Sequence, residues 1–516
     1  VFLQNCFTGK GSLILKARAG TGKTTTILGA VKGMRGESLI LAFNASIAKE
    51  LKDKLVAEGV PWKRASASTM HSAGFKAYRR MFPNVEVDKD RIKVPNLIQQ
   101  LVVMGAIRAE VMPYSATVNS LVSQGKQAAI GIVTHVDDYD AWNDIIERFD
   151  MLDDENAEKL RGDIIDAAAQ ALQANNEQTD FIDFDDMVYL PLVHRCKFWA
   201  VDNLFVDEAQ DTNAVGRLLI RALVKKGGRV IAVGDDFQAI YGFRGADSDS
   251  LDLIQKLFDA TVLPLTVTYR CPKSVVAFAQ QWCADYHAHP SAPEGTISSS
   301  TFEDFIRRPD LNADSAVLCR NTKPLVTAAF ALIRAKIPCK IEGREIGDGL
   351  KRLATKWNSI KTINALQDKI EWWREREVAK AKAKKKESRV QQVNDEADTI
   401  RVIMRACKDE GQHNVSDVVA FIDRLFADNV SGMLTLATIH KSKGREWKRV
   451  FWLDRAGTCP SPYAKQDWEV IGERNLQYVA ATRSKSELID LDLPAAKKTQ
   501  GQIISEAVTK HLASAA

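Results

Sequence analysis

The sequence predicts an α/β fold with two parallel-sheet units, each interrupted by a helical insertion. Three observations predict it. Strand, helix, strand and helix follow one another at the start of the chain, at the spacing of crossover connections. Residues 83–180 then carry helical periodicity with few strand candidates, after which strands resume. A second strand-and-helix set, broken by its own helical stretch, fills the remainder.

The elements follow in order. Residues 12–17 (SLILKA) read as a buried strand, and 24–34 (TTTILGAVKGM) as a helix opening straight after a loop. GES turns the chain into the strand LILAF at 39–43, and a helix runs over about 45–55. The stretches VPNLIQQLVVMGAI, WNDIIERFDML and KLRGDIIDAAAQALQA make up the first insertion. NLFVD at 203–207 and RVIAVGD at 229–235 complete the same sheet. The first unit therefore takes residues 1–82 and 181–260, around an insertion at 83–180.

The second unit is expected to begin near Thr261 with VLPLTV, and to continue through SAVLCR (315–320) and PCKIEG (338–343). After a helical insertion at 347–429 it resumes with MLTLAT (433–438), RVFWLD (449–454) and a closing helix ERNLQYVAATRSK (473–485). Its bounds are 261–346 and 430–516. Inside that insertion, REREVAKAKAKKKESR (374–389) reads as a strongly basic helix. Such a run is either a solvated face or a contact for duplex phosphates.

Composition bounds the chemistry. The chain has 516 residues, 45% hydrophobic and 27% charged, with a formal charge of +5. That is a globular composition with ample apolar material, long enough for roughly three or four units of ordinary size. The basic excess permits a nucleic-acid partner without demanding one. Eight cysteines are scattered without a CxxC pair, which argues against a zinc site or a disulfide framework and fits a reducing compartment. No apolar run is long enough to span a bilayer, and neither export nor membrane insertion is expected.

The segment ARAGTGKT (17–24) fits the phosphate-loop pattern, with Ala17 where a first glycine is usual. Gly20 and Gly22 let the backbone curl so that the amides of Ala19, Gly20, Thr21, Gly22, Lys23, Thr24 and Thr25 can converge on an anion. The helix that follows adds its positive N-terminal end. Lys23 then reaches the β- and γ-phosphates, and the Thr24 hydroxyl supplies a magnesium ligand. Hydrolysis needs acids, and LFVDEAQDT supplies them at the end of a strand. Asp207 is suited to hold Mg²⁺, and Glu208 to orient and deprotonate the attacking water.

The run DEAQD, taken with TMHSAGF (69–75), AFNASIAKEL (42–51), VGDDFQAIYGFRGAD (233–247), TYRCP (268–272), TIHKSKGREW (438–447) and NLQYVAATRSK (475–485), resembles the superfamily-one DNA helicases of the UvrD, Rep and PcrA type. The motifs stand in family order from residue 17 to residue 485. The resemblance implies two RecA-like motor domains, ATP and Mg²⁺ as cofactors, and single-stranded DNA and ss/ds junctions as partners. It implies an ATP-dependent translocase and helicase of 3′-to-5′ polarity in the cytoplasm, at the nucleoid or in a phage-infected host, and leaves the oligomeric state open, a monomeric motor included. An RNA-directed helicase of the same superfamily, and a nucleotide-gated DNA-binding protein, are the alternatives.

Roles follow from the same resemblance. Arg270 and Arg483, both expected in the second unit, stabilise γ-phosphate charge when the nucleotide lies between the units. Gln238 senses the γ-phosphate, Tyr269 stacks on the base and Glu446 touches the ribose. Tyr241, Phe243 and Arg244 hold the strand by stacking and charge, with Asn44, His71 and His440 nearby. Two positions depart from the family: Phe243 stands where many relatives carry tryptophan, and Thr25 where relatives often carry arginine.

Overall fold

Short apolar runs bounded by turns become the strands of two parallel sheets in the computed structural model, which describes residues 2–152, 155–242, 245, 247, 249–383, 387–426 and 432–494. Phe243 and Arg244, Lys384, Lys385 and Lys386 of the basic run, and residues 495–516 lie outside the described residues.

The first sheet contains β1 (Leu13–Ala17), β2 (Ser38–Ala42), β3 (Ala65–Thr69), β4 (Val201–Val206), β5 (Val224–Gly234) and β6 (Thr261–Leu265), in the order β3-β2-β4-β5-β1-β6. Every pairing is parallel; Leu13 is in register with Ile231 on one side and Thr261 on the other. Alternate residues serve two cores. Leu13, Leu15, Ile40, Phe205 and Ile231 face a cluster shared with the helices Lys23–Gly33 and Ala45–Ala57. Ile14, Leu41, Leu204, Val206 and Ala232 face the other cluster, which takes in the helical insertion. Burial on both faces is why these strands read as unbroken hydrophobic runs. That insertion carries the helices Lys93–Val103, Ser115–Gln127, Tyr139–Phe149 and Arg161–Glu177.

The second sheet contains β7 (Thr296–Ser300), β8 (Ser315–Cys319), β9 (Cys339–Glu342), β10 (Leu434–Thr438), β11 (Trp447–Leu453) and β12 (Ser484–Leu491), in the order β7-β12-β11-β8-β10-β9, again all parallel. Helices at Arg344–Thr355, Ile363–Ala383, Glu387–Asp409 and Val415–Leu425 stand between β9 and β10. Two six-stranded parallel sheets with crossover helices are the RecA-like motor architecture the sequence predicts.

The chain divides into two units: residues 1–294, 377–390 and 463–482 form the first, and 295–376, 391–462 and 483–516 the second. This corrects the expectation that Thr261 opens the second unit. Residues 261–265 form β6, which pairs with the open edge of β1 in the first sheet. An edge position also accommodates Pro264, which has no ladder donor to offer. The helix Asp467–Ala481, expected with the second sheet, likewise falls in the first unit. Among the described residues no helix is long and apolar enough to cross a membrane.

Candidate functional site

In a parallel sheet the loops after the strands gather at one edge, and that edge is where ligands bind. Three loops of the first sheet do this: after β1, after β4 and after β5. β5 lies between the other two, so its loop stands between the phosphate loop and the acid pair.

The loop after β1 turns on Gly20 and Gly22, both in the left-handed region at φ 69° and 87°. A Cβ on Gly20 would also lie 2.4 Å from Arg270 Cβ and 2.6 Å from Thr268 Oγ1, so only glycine fits there. Gly22 caps the helix Lys23–Gly33 without a side chain. Ala19 and Thr21 are buried, Thr24 is half-buried and Thr25 is exposed. The Thr21 hydroxyl donates to the Arg18 carbonyl at 2.8 Å. The Ala19 peptide is held at both ends: its N–H donates to the Tyr478 hydroxyl (3.1 Å), and its carbonyl accepts from Tyr286 (3.0 Å).

After β4, the Asp207 N–H extends the ladder to Leu41, and Asp207 Oδ1 accepts from the Glu208 N–H at 3.0 Å. Glu208 sits at φ 52°, an uncommon conformation for a side-chain-bearing residue. Its Oε1 lies 3.0 Å from Lys23 Nζ, and both side chains are 14% exposed. Burial alone would lower the Lys23 pKa; the carboxylates of Glu208, Asp207 and Asp235 outweigh it, and the net shift is upward. The ammonium is therefore fixed as a cation at the loop's centre.

Asp235, at the end of β5, joins the three loops. Its carboxylate is fully buried. One oxygen accepts from Arg18 Nη1 (3.1 Å), the other from Gln238 Nε2 (2.7 Å). The Asp235 N–H donates to Gln210 Oε1 (3.0 Å), and the Gln210 amide nitrogen donates to Glu208. Arg18 also forks onto Asp285 through two bonds of 2.9 and 2.8 Å, with its guanidinium 4.6 Å from the Phe237 ring centre. Burial pushes the Asp235 pKa up, against the pull of Lys23 and Arg18.

Arg270 belongs to the first unit, not the second, because it follows β6. Its neighbour Tyr269 donates its N–H to the Gly20 carbonyl at 2.9 Å, and Arg270 Nη1 donates to the Thr482 carbonyl at 3.3 Å. Arg270 is thus placed against the phosphate loop within one unit. Arg483, Glu446 and His440 lie in the second unit. Arg483 is 1% exposed and donates to the Arg445 carbonyl at 3.3 Å. The exposed Glu446 pairs with Lys485 at 2.5 Å, and half-buried His440 follows β10.

Two of the strand-contacting candidates, Tyr241 and His71, each stack on a neighbouring ring of the first unit. Tyr241 stacks on Phe43, with ring centres 5.4 Å apart and planes 18° apart. His71 stacks on Phe184 at 4.0 Å, and Phe184 is 60% exposed. Burial lowers the His71 pKa to about 4. Asn44 has a structural task as well: its Oδ1 caps the helix Ala45–Ala57 by accepting from the Ile47 N–H at 2.9 Å. A cavity of about 130 Å³ is lined by Phe43, Met70 and His71 together with Asp207, Glu208 and Asp211. His71 and the acid pair Asp207 and Glu208 therefore line one cavity.

The implied magnesium can be tested against its donors. Asp207 and Thr24 offer hard oxygens, the right chemistry for Mg²⁺ and too few to complete its octahedron. Among the described residues no group of three or more His, Cys, Asp or Glu side chains could hold a metal. The donor set suits an ion that brings phosphate oxygens and water with it.

Sequence reasoning missed Arg18, Asp235, Asp285, Phe43 and Phe184 as site residues. A charged residue inside a loop of small ones was a legible signal for Arg18. Nothing local pointed to Asp285, 267 residues away.

Comparisons with known proteins point to one family. Residues 3–259 match the UvrD/REP helicase N-terminal domain, and residues 343–490 the UvrD-like helicase C-terminal domain. The chain is 30% identical over 179 residues to the DNA helicase II of Haemophilus influenzae, covering 29% of this chain and 25% of that protein. It is 23% identical over 328 residues to the ATP-dependent DNA helicase PcrA of Staphylococcus epidermidis (58% of this chain, 41% of that protein). For PcrA of Staphylococcus aureus the figures are 24% over 298 residues, 53% and 38%. The chain thus spans less than half the length of the curated relatives it matches. The two domain models take in the phosphate loop, the acid pair and the closing motif alike, and on that extent the chain belongs to the UvrD/Rep/PcrA-type superfamily-one helicases.

Proposed function

We propose that this chain is an ATP-driven motor that moves along single-stranded DNA from 3′ to 5′ and separates duplex at ss/ds junctions, in a reducing cytoplasm. In this reading Lys23 and the loop amides from Ala19 to Thr25 hold the triphosphate. Glu208 orients the attacking water and takes its proton, and Gln238 responds to the γ-phosphate. Arg270 and Arg483 stabilise charge on the phosphoryl group, Tyr269 stacks on the base and Glu446 touches the ribose. Thr24 and Asp207 would hold Mg²⁺, which when bound neutralises phosphate charge. Asn44, His71, His440, Tyr241, Phe243 and Arg244, with Phe43 and Phe184, grip the strand by stacking and charge.

One observation carries this reading: an unbroken set of hydrogen bonds runs from Glu208 through Gln210 and Asp235 to Gln238. Three residues beyond Gln238, Tyr241 stacks on Phe43. In this reading these contacts are the route by which a change at the γ-phosphate reaches an aromatic step. Hydrolysis measured with matched DNA and RNA oligomers tests the strand assignment. DNA is expected to stimulate more strongly; equal or greater stimulation by RNA would transfer the reading to an RNA motor, and none by either would end it.

A further inference from the structure

The helix Tyr139–Phe149 of the first insertion ends at Asp150, which turns left-handed at φ 45°. A helix leaves the carbonyls of its last turn without intrahelical partners, and they must find others. Here the helix Asp467–Ala481 and the residue before it supply them. Trp468 Nε1 donates to the Arg148 carbonyl at 3.1 Å and to Gln466 Oε1 at 2.6 Å, and Gln466 Nε2 donates to the Glu147 carbonyl at 3.4 Å. The indole also packs on Phe149, with ring centres 6.0 Å apart and planes tilted by 58°. All of these residues belong to the first unit.

The ring held in this way lies against the loop that carries Tyr241. A Cβ on Gly242 would stand 2.8 Å from Trp468 Cε3, and the three heavy atoms nearest to it all belong to that indole. Gly242 has no left-handed φ, so its lack of a side chain answers to space and not to backbone conformation. It directly follows Tyr241, whose ring stacks on Phe43. Arg148 holds the loop at a second point, where its Nη1 donates to Asp247 Oδ1 at 3.0 Å. From Trp468 the helix rises about 15 Å to Tyr478, whose hydroxyl accepts from the Ala19 N–H of the phosphate loop. One rod is thus fixed to the phosphate loop at one end and to the Tyr241 loop at the other.

We propose that Trp468 is a positioning residue for strand binding: it braces the Gly242 backbone against the end of the insertion helix and so fixes the Tyr241 ring in the pose that receives a base. This rests on the assignment of Tyr241 and Phe43 to single-stranded DNA. Trp468 acts through Gly242 and not on the strand. A loop already held in place loses less conformational freedom when the strand binds, so the brace shows as affinity for DNA and not as rate at saturation.

The test is steady-state ATP hydrolysis by the full chain, titrated with oligo-dT, in wild type, Trp468→Ala, Trp468→Phe, Gly242→Ala and the double variant of Trp468→Ala with Gly242→Ala. Trp468→Ala is expected to raise the half-activating oligo-dT concentration about three- to tenfold, with kcat at saturating DNA and KM for ATP within about twofold. Trp468→Phe keeps a ring and loses the N–H, and should recover part of that loss. Gly242→Ala drives a methyl group into the indole and should weaken activation by DNA. In the Trp468→Ala background that space is open, and the same methyl should cost little more. A half-activating concentration in Trp468→Ala within about twofold of wild type overturns the proposal, as do single effects that simply multiply in the double variant. An equal rise in KM for ATP, with a fall in kcat, would mark a merely structural residue and overturn it too. Should Trp468→Ala fail to fold, unchanged half-activation in both Trp468→Phe and Gly242→Ala overturns it instead. If oligo-dT does not stimulate wild type at all, the strand reading itself fails; a stimulated wild type with unaffected variants refutes Trp468 alone.

Discussion

Lys23 Nζ and Glu208 Oε1 stand 3.0 Å apart, the cation of the phosphate loop against the acid that follows β4. Each side chain is defined by the other. Lys23 offsets a cluster that also includes Asp207 and Asp235, and the cluster raises the Lys23 pKa in return. A triphosphate would compete with Glu208 for that ammonium and leave the carboxylate available to water.

The pair predicts a non-additive double mutant. Lys23→Ala leaves three carboxylates without their shared cation, and is expected to cost about 2–4 kcal/mol of stability. Glu208→Gln alone should cost less. In the double variant part of the Lys23→Ala loss should be recovered, giving a coupling of about 1 kcal/mol or more in urea unfolding. Strict additivity would show that the contact carries no energy. In activity, Glu208→Gln should lower kcat about 10²- to 10⁴-fold with a far smaller effect on KM, because a base acts in the transition state.

Asp235 predicts a different pattern. It accepts from Arg18, Gln238 and the Phe237 N–H, and none of its carboxylate is exposed. Asp235→Asn keeps the shape but weakens bonds to a charged partner, a loss of about 1.5–3 kcal/mol. Because Gln238 is one of those partners, DNA stimulation of hydrolysis should fall more steeply than hydrolysis without DNA. Equal losses in both would show that Asp235 only supports the fold.

His71 gives a pH dependence whose sign can be worked out. Burial lowers its folded pKa to about 4, below the ordinary value of 6.5. Between those two values the unfolded chain binds the proton and the folded chain does not. Stability therefore falls as pH drops from about 6.5 towards 4, and by linkage this one residue contributes at most about 3 kcal/mol to the fall. Urea midpoints at pH 7 and pH 4.5 should differ less in His71→Asn than in wild type. The same difference in both proteins would mean that His71 titrates normally.

The aromatic residues predict a salt signature. Phe43→Ala, Tyr241→Ala and Phe184→Ala should each weaken binding to oligo-dT by about 1–3 kcal/mol. Stacking releases no counterions, so the slope of log K against log salt should not change. A reduced slope would mean that these rings act by positioning cations instead.

Much of this was legible because it is local. The phosphate loop, the acid pair and the buried strands β1, β2, β4 and β5 each announce themselves within about ten residues. β3 did not: Ala65–Thr69 is ASAST, small residues with no apolar run, a strand only because β2 lies beside it. Thr261–Leu265 was legible as a strand but not as a member of the first sheet, since pattern does not say which open edge will receive it. That one choice moved Arg270 from the second unit to the first. The hub at Asp235 was hidden for a related reason. Its partners Arg18, Gln210 and Gln238 come from three strand ends that only the sheet order brings together. The helix Asp467–Ala481 was placed by Tyr478 on Ala19 and by Asn475 on the Asp236 and Ala239 carbonyls, contacts over more than two hundred residues that leave no periodic trace.

Strand separation is the most direct test of the central claim that hydrolysis at Lys23 and Glu208 drives movement on DNA. Duplexes with a 3′ tail, a 5′ tail or no tail should be presented to wild type and to Lys23→Ala, with and without ATP. The account predicts opening of the 3′-tailed duplex alone, by wild type alone, and only with ATP. Opening by Lys23→Ala, or by wild type without ATP, would contradict it.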